Sequence, residues 1–221
     1  MRLALIILFF INALIHLYAC FFSYNVLRRV TKPLILPLLA AIYCVLAPKL
    51  NAFVLIGLMM GLAGDILLLF APKNHACFMA GACCFAAGHA AYIVALFTGT
   101  ALQTLALSAA LPAALPFAAA FLAALALVYT ALFPYLSRNK RILMPIYLLL
   151  ICVFGALAGA GAVKLVQGGF FCMLIGAALF LTSDSILSFQ SFKKATKRGS
   201  CRVMFTYILA QALITLGFII I

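Results

Sequence analysis

The chain has 221 residues, 69% of them hydrophobic and 8% charged, and its fifteen Lys and Arg against two acidic residues give a formal charge of +13. One soluble core cannot hide that much apolar surface, so composition excludes a soluble domain. The excess positive charge would suggest nucleic acid in a soluble protein, but here it falls in short connections between apolar runs, where it reads as a topology signal and no nucleic-acid partner is expected.

A helical span needs about 20 apolar residues. With Pro, Gly and charge as punctuation, eight such runs follow one another, at about 3–24, 33–48, 51–70, 75–98, 104–135, 141–164, 168–190 and 203–221. The expected fold is all-α: a polytopic membrane protein of eight transmembrane helices, one integral domain over 1–221. The first run is read as a true span, because LYAC ending at Cys20 is a poor lipobox and the chain retains Met1. The second is short, and the fifth is long enough to be tilted or broken at Pro112 and Pro116. The eight Cys lie mostly within apolar runs with neither a CxxC pair nor a zinc-like spacing, and are read as small packing residues.

Twelve of the fifteen basic residues fall in alternate connections: Arg28, Arg29 and Lys32, then Lys73, then Arg138, Lys140 and Arg141, and last Lys193, Lys194, Lys197, Arg198 and Arg202. Arg2, Lys49 and Lys164 are left for the other side. The positive-inside rule then puts the first group in the cytoplasm and both termini on the non-cytoplasmic side. The run KKATKRGSCR before the last span is expected to meet anionic lipid heads nonspecifically. The expected location is a cell membrane, the inner membrane of a bacterium.

Against that background the two acidic residues stand out. Asp65 lies in GLMMGLAGDILLLF (57–70) and Asp184 in GAALFLTSDSILSF (176–189), and no Glu occurs. The segments align without a gap, with Gly57, Leu62, Asp65, Leu68 and Phe70 on Gly176, Leu181, Asp184, Leu187 and Phe189, so a duplicated four-helix unit is one reading. A charge at a helix centre costs about 2.5–3.5 kcal/mol on insertion scales, and function is the default explanation for one. The third and seventh spans run the same way, so both carboxyls fall at one depth near the cytoplasmic ends.

Other polar side chains share that depth: Tyr24, Asn25, Lys32, Tyr129, Tyr147, Tyr207 and Gln211, the last two four residues apart and on one helix face. Nearer mid-bilayer are Asn12 with His16 and His89 with Tyr92. Together they describe a polar cavity opening toward the cytoplasmic side. The tyrosines read equally as interfacial anchors. Lys32, before Pro33, reads either as a topology charge or as a group reaching a lipid phosphate. His75 is expected to face water. No two of the three His have the spacing that presents two imidazoles from one helix, so no metal and no other cofactor is expected.

Two carboxyls sharing one site settle into one protonated and one ionised group, which supplies a general acid and a charge-stabilising base together. Hydroxyls in TSDS favour an ionised Asp184, and an apolar, glycine-lined setting favours a protonated Asp65 as proton donor. Three classes remain open at this point: an enzyme using the pair, a proton-coupled lipid or small-molecule transporter using it, and a zinc-dependent lipid hydrolase. Polar residues thin out toward the outside and neither Asp-bearing span has a Pro break, which favours the enzyme.

The pattern resembles the YhhN-type lysoplasmalogenase family of integral membrane hydrolases. The matching pieces are TKP at 31–33, GDILLL at 64–69, the series Phe78, Gly81, Phe85, His89 and Tyr92, then Tyr129, GAALFLTSD ending at Asp184, and YILAQ at 207–211. The resemblance implies an eight-helix enzyme that hydrolyses the vinyl ether bond of lysoplasmalogens to a fatty aldehyde and a glycerophospho-ethanolamine or -choline, with Asp65 and Asp184 as the catalytic pair. Ser185 and Ser188 depart from it, since the family is more apolar there. On this reading Lys32 binds the substrate phosphate, His89, Tyr92, Tyr129, Tyr207 and Gln211 orient water and glycerol hydroxyls, and the chain lies in a slot lined by Leu, Ala and Phe. The expected partners are a lysophospholipid substrate and membrane lipids, and the sequence leaves the oligomeric state open.

Overall fold

A computed structural model describes residues 1–71, 74–104, 106–193 and 196–221, and within them the side chains of all but His75, Gln103, Leu107, Asn139, Lys140, Leu143 and Lys197. Of the residues named above, Lys73 and Lys194 and the side chains of His75, Lys140 and Lys197 lie outside the described residues. The described elements are all helical: α1 (Arg2–Phe22), α2 (Asn25–Thr31), a 3₁₀ turn (Lys32–Leu34), α3 (Ile35–Leu46), α4 (Ala52–Phe70), α5 (His75–Gly99), α6 (Leu107–Leu132), α7 (Arg138–Leu165), α8 (Gly168–Phe192) and α9 (Lys197–Ile220), with short 3₁₀ turns after α5 and α6. Eight of these are long and apolar enough to cross a membrane, the stretch Asn25–Leu46 counting as one.

Two boundaries differ from the sequence expectation. The second span begins at Asn25 and not near Pro33, because Pro33 falls in the first positions of the 3₁₀ turn, where its missing N–H removes no helical bond and the chain runs through. The last helix begins at Lys197 and not near Val203, because the Thr196 hydroxyl accepts from the Gly199 N–H at 3.1 Å and caps the basic run as helix. Pro112 and Pro116 both lie inside α6, which continues through them. Such prolines are tolerated where neighbouring helices or side chains satisfy the freed carbonyls.

Close helix pairs carry the packing. α4 lies along α5 and α8 along α9, and both seams are glycine-lined. A methyl on Gly64 would lie 3.1 Å from the Gly81 carbonyl oxygen, and one on Gly176 would lie 3.0 Å from that of Ala210. Small residues on these faces let backbones approach, the usual basis of helix association in lipid. α5 also packs on α7 and α9 on α3, contacts that interchange when the two halves of the chain are exchanged, whereas among the described residues α6 makes no contact with α5 as extensive as that of α1 with α9. Asn51 fixes the start of α4: its side-chain oxygen accepts from the Phe53 N–H, its amide donates to the Ala95 carbonyl and the Thr98 hydroxyl, and its backbone N–H donates to the Tyr43 hydroxyl.

Candidate active site

The two helices bearing Asp face one cavity. About 660 Å³ in volume, it is lined from α1 by His16, from α2 and the following turn by Asn25, Arg28, Arg29 and Lys32, from α4 by Asp65, from α8 by Ser183 and Asp184, and from α9 by Ser200 and Tyr207. Its rim includes Ala71, Gln190, Ser191 and Phe192, so it opens at the end of the bundle where the basic connections gather. A narrow apolar slot of about 40 Å³ adjoins it, lined by Leu68, Phe78, Met79, Phe85, Met144 and Tyr147 and ending on Asp184, Leu187 and Ser188.

Both carboxyls are buried, Asp65 at 2% exposure and Asp184 at 5%, but their partners differ. Lys32 Nζ lies 3.2 Å from Asp65 Oδ1, and the Tyr207 hydroxyl donates to Asp65 Oδ2 at 2.7 Å. Gly61, one turn earlier on α4, keeps this corner open: a methyl there would lie 2.8 Å from Leu36 and 3.9 Å from the Tyr207 hydroxyl. Asp184 makes no ion pair among the described residues, and its Oδ2 is buried with no hydrogen-bond partner. Two hydroxyls of its own helix turn elsewhere, Ser185 to the Leu181 carbonyl at 2.6 Å and Ser183 to the Val203 carbonyl at 3.0 Å, while Ser188 lines the slot beside it. The surroundings are therefore the reverse of those expected from local sequence: the charged and hydroxyl partners gather on Asp65, and the apolar setting belongs to Asp184.

Tyr207 is held by aromatic edges, its ring centroid 5.6 Å from Phe180 and 6.1 Å from Phe85. His89 backs that wall from outside the cavity lining. Its ring packs 4.4 Å from Phe180, its Nδ1–H donates to the Phe85 carbonyl at 2.9 Å, and its buried Nε2 has no partner. Tyr92 and Gln211 are likewise set behind the wall, the Tyr92 hydroxyl donating to Gln211 Oε1 at 3.1 Å. Tyr129 is elsewhere: its hydroxyl donates to the Arg141 carbonyl at 3.2 Å and ties α6 to the start of α7. Of the residues named from sequence, Asp65, Asp184, Lys32 and Tyr207 meet in the cavity, His89, Tyr92 and Gln211 stand behind it, and Tyr129 is apart.

His16, placed with the polar cavity from sequence, is in its wall, and the structure adds Arg28 and Arg29. A signal for the first existed, since Asn25, Arg28 and Lys32 recur at helical spacing and share a face. His16 is held by a partner fifteen residues away: the Thr31 hydroxyl spends its proton on the Leu27 carbonyl at 2.7 Å, so His16 Nδ1–H donates to Thr31 Oγ1 at 2.7 Å and Nε2 is left as an acceptor. Among the described residues no three His, Cys or Asp side chains gather as a metal-binding group.

No match was found among curated proteins or among solved structures. The family model described as YhhN family matches residues 27–218, from the arginines of α2 through the Tyr207 helix, and with most of the chain covered the protein belongs to the YhhN family.

Proposed function

We propose that this protein is a membrane lysoplasmalogenase that hydrolyses the vinyl ether bond of lysoplasmalogens with Asp184 as proton donor and Asp65 as the stabilising carboxylate. Family membership supports a lysoplasmalogenase-type activity. The observation that carries the chemistry is the unequal partnering of two buried carboxyls on one cavity: Lys32 and Tyr207 on Asp65, an unpartnered Oδ2 on Asp184.

A carboxyl with a cation and a phenol against it is served as an anion, because both partners favour the charged form. A buried carboxyl with no cation is cheaper as the neutral acid. Vinyl ether cleavage needs one of each. Asp184 gives its proton to the alkene carbon remote from oxygen, the C–H bond forms as the π bond is consumed, and the positive charge passes to an oxocarbenium ion. The Asp65 carboxylate stabilises that cation, as the second carboxylate does in glycosidic cleavage. Water adds to the cationic carbon and its released proton returns to the Asp184 carboxylate. The resulting hemiacetal collapses, its hydroxyl proton leaving with the glycerol oxygen, to aldehyde and free alcohol. One water is consumed and both carboxyls end as they began. On this reading the apolar slot beside Asp184 takes the alkene end of the chain and the basic rim takes the polar head. By the positive-inside rule that rim faces the cytoplasm and both termini face the opposite side.

The test is aldehyde release from a lysoplasmalogen by purified protein in detergent, with and without chelator. Wild type is expected to release aldehyde stoichiometric with substrate, chelator to change nothing, and Asp184→Asn to abolish release. No aldehyde from wild type, or full activity in both Asp184→Asn and Asp65→Asn, overturns the reading.

A further inference from the structure

We propose that the outer face of α9 holds one diacyl phospholipid of net negative charge, its phosphate between Arg198 and Arg202 and a chain in the groove between α1 and α8. This site is separate from the cavity and does not depend on the chemistry proposed there. α9 presents two faces at helical spacing: Ser200, Val203, Met204 and Tyr207 line the cavity, whereas Arg198, Arg202 and Phe205 are exposed on the opposite side. Over that outer face lies an open groove of about 470 Å³, a volume in the range of small-ligand pockets, walled by Leu17 and Phe21 of α1 and by Ile186 of α8. α1 divides in the same way, with His16 toward the cavity and Leu17 and Phe21 toward the groove.

The groove is amphipathic along its length. The Cys201 thiol approaches the Leu17 carbonyl at 4.0 Å, which sets α1 and α9 at one level there. From that level Arg198 lies about one turn toward the end where the basic connections gather, and Phe205 about one turn deeper. A phospholipid of the adjoining leaflet has the same layout, with phosphate outside and chains inside. The two guanidiniums have no carboxylate side chain to pair with, because both acidic residues of the sequence are buried on the cavity side of α9. Arg198 also sits in the first turn of α9, which holds no acidic residue, and the positive end of the helix dipole disfavours a cation there and favours an anion. A phosphodiester between the arginines answers both, since paired guanidinium N–H donors match its oxygens. Basic connections attract anionic lipid without any groove; apolar walls beside the arginines are what give one lipid a fixed place. A second copy of the chain seated here would bury the same two cations uncompensated, which favours the lipid as occupant.

The sequence contains no Trp, so Phe205→Trp makes a single fluorescent reporter in the groove. The protein is reconstituted in dioleoyl-phosphatidylcholine vesicles in which a fixed minor fraction of lipid is either phosphatidylglycerol or phosphatidylcholine with brominated chains, which quench Trp on contact. Leu127→Trp, exposed on α6 near the same end of the bundle, reports ordinary boundary lipid. Phosphatidylglycerol is expected to be favoured by about 10-fold at Phe205→Trp, the range of one charge-assisted contact, and by no more than about 2-fold at Leu127→Trp, where only the surface potential acts. Adding Arg198→Gln/Arg202→Gln should bring the preference at the groove reporter to that of Leu127→Trp. Arg138→Gln/Lys193→Gln removes as much charge from the same end outside the groove and should leave it within about 2-fold, since salt screens distant charges. Leu209→Trp, one turn deeper on the same face of α9, repeats the measurement if Phe205→Trp does not fold. Equal preferences at the groove and α6 reporters, or equal losses from the two charge pairs, would mean nonspecific attraction and overturn the proposal. Quenching that fades as the protein-to-lipid ratio is raised would put a second copy in the groove and overturn it as well.

Discussion

Asp65 and Asp184 occupy matching places in two aligned segments, yet the protein treats them as opposites. Beside Asp65 the second span carries Lys32–Pro33 near its start, and the lysine reaches the carboxylate. Beside Asp184 the sixth span carries Met144–Pro145 near its start, and the methionine, with Tyr147, lines the apolar slot that ends on the carboxyl. The two halves thus offer comparable scaffolds with a cation in one and a thioether in the other. Local sequence around the aspartates points the other way, toward serines at Asp184 and glycines at Asp65. The comparison teaches that the character of a buried carboxyl is set by what neighbouring helices bring to it, because residues next to it along its own helix face other directions.

The largest effect expected from breaking this comparison is at the acid. Asp184→Asn should lower kcat by about 10³-fold or more, in the range for loss of a general acid, with no loss of thermal stability, since no partner is stranded. Asp65→Asn should lower kcat about as strongly and differ in stability, because it strands the Lys32 ammonium in a largely buried site. A fall in Tm confined to Asp65→Asn, followed by circular dichroism, is the signature, and equal Tm values would show the two sites to be alike.

Next comes a conversion of one site into the other. Met144→Lys places an ammonium where the slot meets Asp184 and gives that carboxyl the partner Asp65 already has. Activity should fall by about 10²-fold while the variant still folds, because the new charge has a carboxylate to pair with and holds the donor in its proton-free form. Retained activity would break the assignment of Asp184 as acid.

Tyr207→Phe should cost about 10-fold in kcat, the loss of one hydrogen bond to a charged group, with the aromatic packing on Phe85 and Phe180 preserved. The smallest effect is at Tyr129. Tyr129→Phe removes a contact to the Arg141 carbonyl outside the cavity lining, so turnover should stay within about 2-fold of wild type. A larger loss would place Tyr129 back among the substrate-binding residues.

How much of this was legible beforehand depends on the range of each interaction. Eight apolar runs, the isolation of two aspartates and their expected shared depth all follow from local hydropathy and helical rise, and the helices stand where those runs predicted except at two starts. The start of α2 was missed because Pro33 reads as punctuation in a linear scan, whereas in the first turn of a helix it breaks nothing. The start of α9 was missed because basic residues read as loop, whereas a single Thr196 cap makes them helical. Tyr129 and Gln211 share a depth with the aspartates and His89 and Tyr92 lie nearer mid-bilayer, but depth leaves the rotation of a helix open, and rotation decides whether a side chain lines the cavity or backs its wall.

Amino-acid order alone settled that the chain is an all-helical membrane protein and that its two acidic side chains lie in two of its apolar spans. These rest on composition and on periodicities of a few residues, which need no knowledge of which helix meets which. Tertiary structure alone decided that Lys32 pairs with Asp65 across thirty-three residues, that Tyr207 completes that corner from α9, and that Asp184 is left in an apolar slot. Each of those is a contact between helices distant in sequence, fixed by glycine-lined seams and helix rotation.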